Sequence, residues 1–243
     1  MFIDYFVHPS ASVYGDVMIG AGTIVGPNAV ILGPVNIGSN CWIGPNAIIG
    51  TPAEDVEMMV KAELPRYPNY FAEIGQINEM LWNIDHGEGV VIGHNTVIRE
   101  QVTIHQGTVH STIIGDNCFV MNKSHVGHDC VIGNNVRISP SAMIGGHCWI
   151  DRYSNIGMAA TIHQNIRIGF GAMIGMNAAV VKGVLPYSTV VGVPAKFSGM
   201  NWVMAKKLEV SEDSMRMLEK SYNSEAHPPS EFVSMLAEHG QWG

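Results

Sequence analysis

Aliphatic residues recur at every sixth position along most of the chain. Reading from Val7 gives an unbroken run of eight, and the same register returns at Ile92 and again from Ile114 to Val180. Glycine often follows the aliphatic residue, and Asn or Asp often lies two or three positions later, as turns with positive φ require. A period of six is typical of the hexapeptide class of parallel β-helix, whose coils have three faces and about eighteen residues. The pattern therefore predicts a mainly β chain with a column of Val and Ile side chains at its centre.

Two segments interrupt this register. The first, at about residues 51–89, has lost the glycine pattern, and its stretch Asp55–Leu64 favours a helix. We expect an insertion there, which either decorates the coil or lines a cleft. The second, Gln106–Thr112, is a short loop bordered by His105 and containing His110. The neighbouring histidines make this loop the more informative of the two.

The composition turns helical beyond the repeat. We expect residues 1–196 to form the β-helix domain and residues 197–243 to form a C-terminal helical domain. Its helices are predicted at Asn201–Glu209, from Ser211 onward, and at Ser230–His239. Such a helical cap would cover the open end of the coil, where strand edges are otherwise unpaired.

Composition and charge exclude several classes of function. The formal net charge is −8 with only 13 Lys and Arg residues, whereas nucleic-acid binders usually carry a basic stripe. Met1–Ser12 has no basic start, and no run reaches the ~18 apolar residues that span a bilayer. We therefore expect a cytoplasmic protein with no nucleic-acid partner and no integral membrane segment.

The four cysteines show neither a CxxC pair nor the density of a secreted scaffold, so reduced thiols packed in the repeat are expected. They are Cys41, Cys118, Cys130 and Cys148.

Histidines are concentrated in the second block of coils. Five of the eleven lie in the coils between Ile98 and Ile168, outside the short loop: His105, His125, His128, His147 and His163. Residues eighteen apart stack on adjacent coils at a strand spacing of about 4.8 Å. This arithmetic places Gly146 directly over His128 and leaves space around the ring. The clustering predicts a site near His128.

The chemistry available at that site is proton transfer. Imidazole can remove a proton from a hydroxyl or an amine near neutral pH. The chain has no G-x-S-x-G elbow, so a covalent acyl-enzyme is not indicated and general-base catalysis of direct transfer is simpler. A backbone N–H at Gly146 could stabilise the developing oxyanion, because a carbonyl can approach glycine closely. Whether the carboxylate of Asp129 orients the His128 ring cannot be decided from adjacency alone.

The segment Asn122–Cys130 (NKSHVGHDC) resembles the acyl-ACP:UDP-N-acetylglucosamine O-acyltransferases of lipid A biosynthesis. Three further segments agree with that family: Ile98–Gly107, Gly145–His147 and Ile162–Gln164. The resemblance implies a left-handed β-helix and a homotrimer with sites between subunits. It also implies transfer of an (R)-3-hydroxyacyl group from acyl carrier protein to the 3-hydroxyl of UDP-N-acetylglucosamine, the first step of lipid A biosynthesis. Neither a metal nor a cofactor is expected; the donor, acyl-ACP or acyl-CoA, is a co-substrate.

The resemblance also implies roles for individual residues. His128 is the general base, Asp129 its neighbour in the motif, and Gly146 the oxyanion donor. The substrate-binding residues that it implies are His125, His147, His163, Gln164, Met176, Asn201 and Lys207. Met176 lies where the family limits acyl-chain length, so we expect a short or medium acyl group. The chain departs from the family at the insertion, which replaces a loop of acceptor-binding residues, and at Leu208, which replaces one of two basic residues.

Three other functions fit parts of the sequence. Gly192–Lys196 (GVPAK) resembles a segment of CoA-dependent hexapeptide acetyltransferases, which favours an N-acyltransferase that uses acetyl-CoA on an amino-sugar nucleotide for O-antigen or glycan synthesis. His125–Cys130 loosely resembles the γ-carbonic anhydrases, whose zinc is held by histidines of neighbouring coils. A purely structural coil is the third alternative. Stoichiometric zinc would favour the γ-carbonic anhydrase. A preference for acetyl-CoA or for acyl-ACP as donor would distinguish the N-acyltransferase from the O-acyltransferase of lipid A biosynthesis.

Overall fold

The computed structural model describes residues 4–53 and 87–223. These residues form a parallel β-helix in which each coil contributes one short strand to each of three faces. The predicted mainly β, parallel β-helical architecture is confirmed. Its left-handed sense stays a prediction.

The strands are numbered in chain order. The first face contains β1 (Phe6–Val7), β4 (Ile24–Val25), β7 (Trp42–Ile43), β10 (Val97–Ile98), β13 (Phe119–Val120), β16 (Arg137–Ile138), β19 (Asn155–Ile156), β22 (Met173–Ile174), β24 (Ser188–Val191) and β25 (Lys196–Met200). The second face contains β2 (Ser12–Tyr14), β5 (Val30–Leu32), β8 (Ile48–Thr51), β11 (Thr103–His105), β14 (His125–Val126), β17 (Met143–Ile144), β20 (Thr161–Ile162) and β23 (Ala179–Val180). The third face contains β3 (Val17–Ile19), β6 (Val35–Ile37), β9 (Val90–Ile92), β12 (Thr112–Ile114), β15 (Val131–Ile132), β18 (Trp149–Ile150) and β21 (Arg167–Ile168).

Register within the second face follows the repeat. His125 of β14 pairs with Met143 of β17, which in turn pairs with Thr161 of β20. One step of this face is longer, because Thr103 pairs with His125 across the loop between β11 and β12. The extra residues leave the coil as a short excursion beside the histidine cluster.

The column of aliphatic side chains forms the core. Ile138, Ile144 and Ile150, one from each face, are fully buried, and each such burial is worth roughly 1.5–3 kcal/mol. The first coil differs, since Val13 is 37% exposed. Among the described residues, that coil packs against a neighbouring coil on one side only, so its inward side chains are covered less completely. All four thiols are free and buried.

Two helices follow the coil. α1 (Trp202–Lys207) is shorter than the predicted Asn201–Glu209 at both ends. Asn201 is its N-cap and accepts a hydrogen bond from the Met204 N–H, and Leu208 is its C-cap. α2 (Glu212–Asn223) begins after Ser211, as predicted. Buried side chains of the two helices form one apolar cluster with the last coils: Phe170, Tyr187, Met200, Ala205, Met215 and Leu218.

The helices predicted at Asp55–Leu64 and Ser230–His239 lie outside the described residues. Within the described part of the chain, neither helix is long and apolar enough to cross a membrane.

Candidate active site

A cleft of about 340 Å³ opens where the second face turns into the third. Its floor is formed by β14, β17 and β20, whose outward side chains face it, and its edge by the turns that follow these strands. The lining residues are His105, His125, Gly127, His128, Met143, Ile144, Gly145, Gly146, Thr161, Ile162 and Gln164. The sequence-predicted site around His128 is thus a concave surface with several imidazoles.

His128 is oriented by the residue that follows it. Its Nδ1 lies 2.7 Å from Oδ2 of Asp129, whose side chain is fully buried. An ionised carboxylate can only accept hydrogen bonds, so Nδ1 carries the proton and Nε2 keeps a free lone pair in the neutral ring. The geometry therefore assigns Asp129 as the group that orients the His128 ring, which adjacency in the sequence left open.

The Asp129 carboxylate is enclosed by the loop between β11 and β12. Backbone N–H groups of Thr108, Val109 and His110 donate to it at 2.8–3.1 Å, and Thr108 Oγ1 donates to Oδ2 at 2.8 Å. Burial alone would raise the pKa of this carboxyl. Hydrogen bonds from His110, His128, Val109 and Thr108 outweigh it and hold the pKa well below its usual range. Asp129 therefore stays ionised at any pH at which the protein would work.

Gly146 stacks on the His128 ring, as the eighteen-residue coil predicts. A Cβ at this position would lie 2.6 Å from His128 Nε2, so no larger residue fits without displacing the ring. The Gly146 N–H has no acceptor among the residues that the structure describes. A buried, unpaired backbone donor beside an imidazole is suited to bind an oxyanion.

Four imidazoles in this region, including that of His128, form two edge-to-face pairs. The His147 ring packs against His128 with centroids 4.8 Å apart, and its Nε2 lies 3.8 Å from Asp129 Oδ2. The His125 ring packs against His105 at 4.6 Å, and its Nδ1 lies 2.8 Å from Thr103 Oγ1. His105 and His125 face the cleft, whereas His147 packs against the His128 ring from the next coil.

Of the remaining predicted substrate-binding residues, one lines the cleft and the others are not part of its lining. Gln164 lines the cleft, while the His163 ring is exposed with Nδ1 3.1 Å from the Gln164 carbonyl oxygen. Met176, 72% exposed, lies at the corner between the first and second faces and is not part of this lining. Asn201 caps α1 and donates from Nδ2 to the Gly171 carbonyl, so its side chain also fastens the helix to the coil. Lys207 is exposed at the end of α1.

One group of side chains has metal-ligand spacing. Atoms of His128, Asp129 and His147 lie within 4.8 Å of one another. Both oxygens of Asp129, however, already accept hydrogen bonds from the loop, and the imidazole Nδ1 is one of their donors. A metal would have to displace these donors, so the arrangement fits a hydrogen-bonded acid–base pair and not a metal centre.

Sequence reasoning missed the contribution of Thr103 and Thr108. Each hydroxyl lies at hydrogen-bond distance from a site residue that is about twenty positions away in the chain. The only available signal was the short loop beside the histidines, which marked the region but not the contact.

Comparisons with known proteins identify the family of the chain. The family described as bacterial transferase hexapeptide (six repeats) matches residues 111–146 and 129–164, and a hexapeptide repeat of succinyl-transferase matches residues 34–55. The chain is 32% identical over 174 residues to an acyl-[acyl-carrier-protein]–UDP-N-acetylglucosamine O-acyltransferase of Pseudomonas paraeruginosa. That alignment covers 69% of this chain and 67% of the relative.

Solved structures of similar proteins extend the likeness over nearly the whole chain. A UDP-N-acetylglucosamine acyltransferase from Campylobacter jejuni superposes with a TM-score of 0.68 at 25% identity, covering 98% of this chain and 90% of the other. One from Bacteroides fragilis has a TM-score of 0.68 at 26% identity, covering 91% and 83%. Fold, sequence identity and repeat family therefore agree that the chain belongs to the acyl-[acyl-carrier-protein]–UDP-N-acetylglucosamine O-acyltransferase family and is an acyltransferase.

Proposed function

We propose that the protein transfers an (R)-3-hydroxyacyl group from acyl carrier protein to the 3-hydroxyl of UDP-N-acetylglucosamine, the first step of lipid A biosynthesis. The observation that carries the proposal is the His128–Asp129 pair beside the unpaired Gly146 N–H. The relatives of the chain are named acyl-[acyl-carrier-protein]–UDP-N-acetylglucosamine O-acyltransferases. The pair supplies a base, and the N–H supplies a donor for an oxyanion. Direct acyl transfer requires these two groups and no covalent enzyme intermediate.

The reaction begins with proton removal. His128 Nε2 takes the proton from the acceptor hydroxyl as its oxygen attacks the carbonyl carbon of the acyl thioester. The Asp129 carboxylate, 2.7 Å from Nδ1, stabilises the imidazolium that forms, without itself accepting the proton. Its depressed pKa suits this role, because the negative charge is kept throughout the reaction.

The second half of the reaction returns the proton. Attack gives a tetrahedral oxyanion, which the Gly146 N–H stabilises. Collapse of this intermediate breaks the carbon–sulfur bond, and the departing thiolate takes the proton from His128. The products are the O-acylated sugar nucleotide and the free thiol of the carrier, and the base is regenerated.

Substrate binding is assigned to the surrounding side chains. His125 and Gln164 line the cleft and can bind polar groups of the acceptor, and His147 packs against the base. The exposed Lys207, next to the exposed Lys206, can pair with nucleotide phosphates or with an acidic carrier protein. Met176 would shorten the acyl pocket relative to glycine, so short or medium acyl groups are the expected donors.

A homotrimer would complete the site. The outward side chains of the first strands of the first face, Phe6, Ile24 and Trp42, are paired in register and remain 37–52% exposed. Exposed apolar columns of this kind are typical of protein interfaces. Met176 and Lys207 would reach the reacting groups if the cleft were closed by a neighbouring subunit.

The deciding experiment measures acyl transfer with purified protein. (R)-3-hydroxyacyl-ACP of several chain lengths and acetyl-CoA are offered as donors, with UDP-N-acetylglucosamine and amino-sugar nucleotides as acceptors. We expect transfer from hydroxyacyl-ACP to UDP-N-acetylglucosamine, and a loss of about 10²–10⁴ in kcat for His128→Ala. Transfer only from acetyl-CoA to an amino sugar would refute the substrate assignment.

His8→Ala is the matched control for His128→Ala. His8 lies in the first coil, with its Nδ1 2.9 Å from Ser10 Oγ, and takes no part in the cleft. Its replacement is expected to leave transfer unchanged. Full activity in His128→Ala would refute the mechanism, whichever substrate is used.

A further inference from the structure

The loop between β11 and β12 presents one hydroxyl to the group that orients the base. Asp129 Oδ2 accepts a hydrogen bond from His128 Nδ1 at 2.7 Å and another from Thr108 Oγ1 at 2.8 Å. The other oxygen, Oδ1, accepts backbone N–H groups of Val109 and His110. The imidazole and the threonine hydroxyl therefore share a single carboxylate oxygen, while backbone donors fix the carboxylate in place.

The loop is built to hold this hydroxyl in position. Gly107 begins a turn so tight that a Cβ there would collide with the His110 carbonyl oxygen. The Thr108 N–H also donates to the carboxylate, so backbone and side chain of one residue bind the same group. Rotating the hydroxyl away would leave Asp129 Oδ2, which is buried from solvent, with one strong donor fewer.

We propose that Thr108 is a positioning residue that sets the pH range in which His128 works as a base, by competing with the ring for Asp129 Oδ2. A neutral donor on a carboxylate disperses its negative charge, so less of that charge is available to stabilise an imidazolium. Without the hydroxyl, more of the negative charge of Asp129 Oδ2 stabilises the His128 ring, which favours the protonated form of that ring. A protonated base cannot accept the substrate proton, so the acid limb of the activity profile moves to higher pH.

Other titratable groups also face His128. The His147 ring lies on it from the next coil, and His105 and His125 line the same cleft. His110 contributes its backbone N–H to Asp129, and its own Nδ1 lies 3.0 Å from the Ser111 carbonyl oxygen. These imidazoles are the same in every Thr108 variant, so a comparison between variants isolates the hydroxyl.

The test compares Thr108→Ala with Thr108→Ser. The inference rests on the proposed function for its kinetic part, so the first measurement is independent of activity: an NMR titration of the His128 ring protons. We expect the midpoint in Thr108→Ala to lie above that of the wild type by about half a pH unit or more, and Thr108→Ser to restore it. An unchanged midpoint in folded Thr108→Ala would overturn the inference.

The second measurement is the pH profile of kcat/KM. A shift of half a unit means that the loss in Thr108→Ala well below the wild-type midpoint exceeds the loss well above it by about threefold. A purely structural role for Thr108 would instead lower activity equally at all pH values and lower the melting temperature. If Thr108→Ala is too unstable to titrate, Thr108→Val keeps the side-chain volume and removes the hydroxyl. Failure of the proposed function would appear separately, as full activity in His128→Ala.

Discussion

Replacing Gly146 with alanine tests both the stacking of the coils and the position of the base. The added Cβ would lie 2.6 Å from His128 Nε2 and 2.8 Å from Cε1, whereas comfortable contacts begin at about 3.5 Å. The ring must therefore retreat by about 0.9 Å, which strains its hydrogen bond to Asp129. Overpacking of this kind costs about 1–3 kcal/mol of stability, and a displacement of about 1 Å at a reacting group costs about 100-fold in rate.

The assay pairs chemical denaturation with the acyl-transfer rate, and Gly183→Ala is the matched control. A Cβ at Gly183 meets only the Arg167 carbonyl oxygen at 3.5 Å, so this variant should change neither stability nor rate appreciably. In a His128→Ala background the clash is absent, and Gly146→Ala should then cost little stability. Equal destabilisation in both backgrounds, or a rate within threefold of wild type for Gly146→Ala, would refute the reasoning.

Three further predictions concern other features of the chain. Asp129→Asn removes a carboxylate whose pKa is held well below its usual range. It should cost roughly 1–3 kcal/mol or more at pH 7, because the amide NH2 of Asn cannot accept the hydrogen bonds that one carboxylate oxygen accepts. That stabilising contribution is present above about pH 4 and is lost as the pH falls towards the folded-state pKa, so melting temperatures of variant and wild type should converge in acid; a constant difference would contradict the assignment. Met176→Gly should shift the preferred donor towards longer acyl chains, measured as the ratio of kcat/KM for long and short acyl-ACP; an unchanged ratio would remove this residue from the acyl pocket. Burial raises the pKa of the Cys118 thiol to about 11 and also raises that of Cys41, so both should resist a thiol reagent at pH 8 in the native state and react after denaturation.

The fold was predictable because the six-residue repeat depends only on residues that are close together in the chain. Six residues suffice to turn a short strand and bring the next aliphatic side chain inward. This rule holds from β4 to β8, from β9 to β11 and from β12 to β23 without reference to distant contacts. The first coil deviates, since the exposure of Val13 reflects that only one described coil packs against it and does not follow from its own sequence context. The helix α1 also begins one residue later than predicted, because Asn201 is its N-cap and accepts a hydrogen bond from the Met204 N–H.

Parts of the site were predictable for the same reason. A coil of fixed length places Gly146 over His128, so the two could be paired by counting. Gln164 and His125 were likewise expected at the cleft and do line it. Met176 and Asn201 were expected as substrate-binding residues, but a single chain does not bring them into the lining of this cleft.

The sequence by itself therefore determined the parallel coil, its buried aliphatic column and the stacking of Gly146 on His128, since each follows from a repeat of constant length. Only the tertiary structure decided how the base is oriented. The loop that carries Thr108 closes over Asp129 from 21 residues away, and the resulting hydrogen bonds depend on loop conformation and side-chain direction. Periodicity specifies neither, because a loop that leaves the repeat no longer obeys the spacing that defines it.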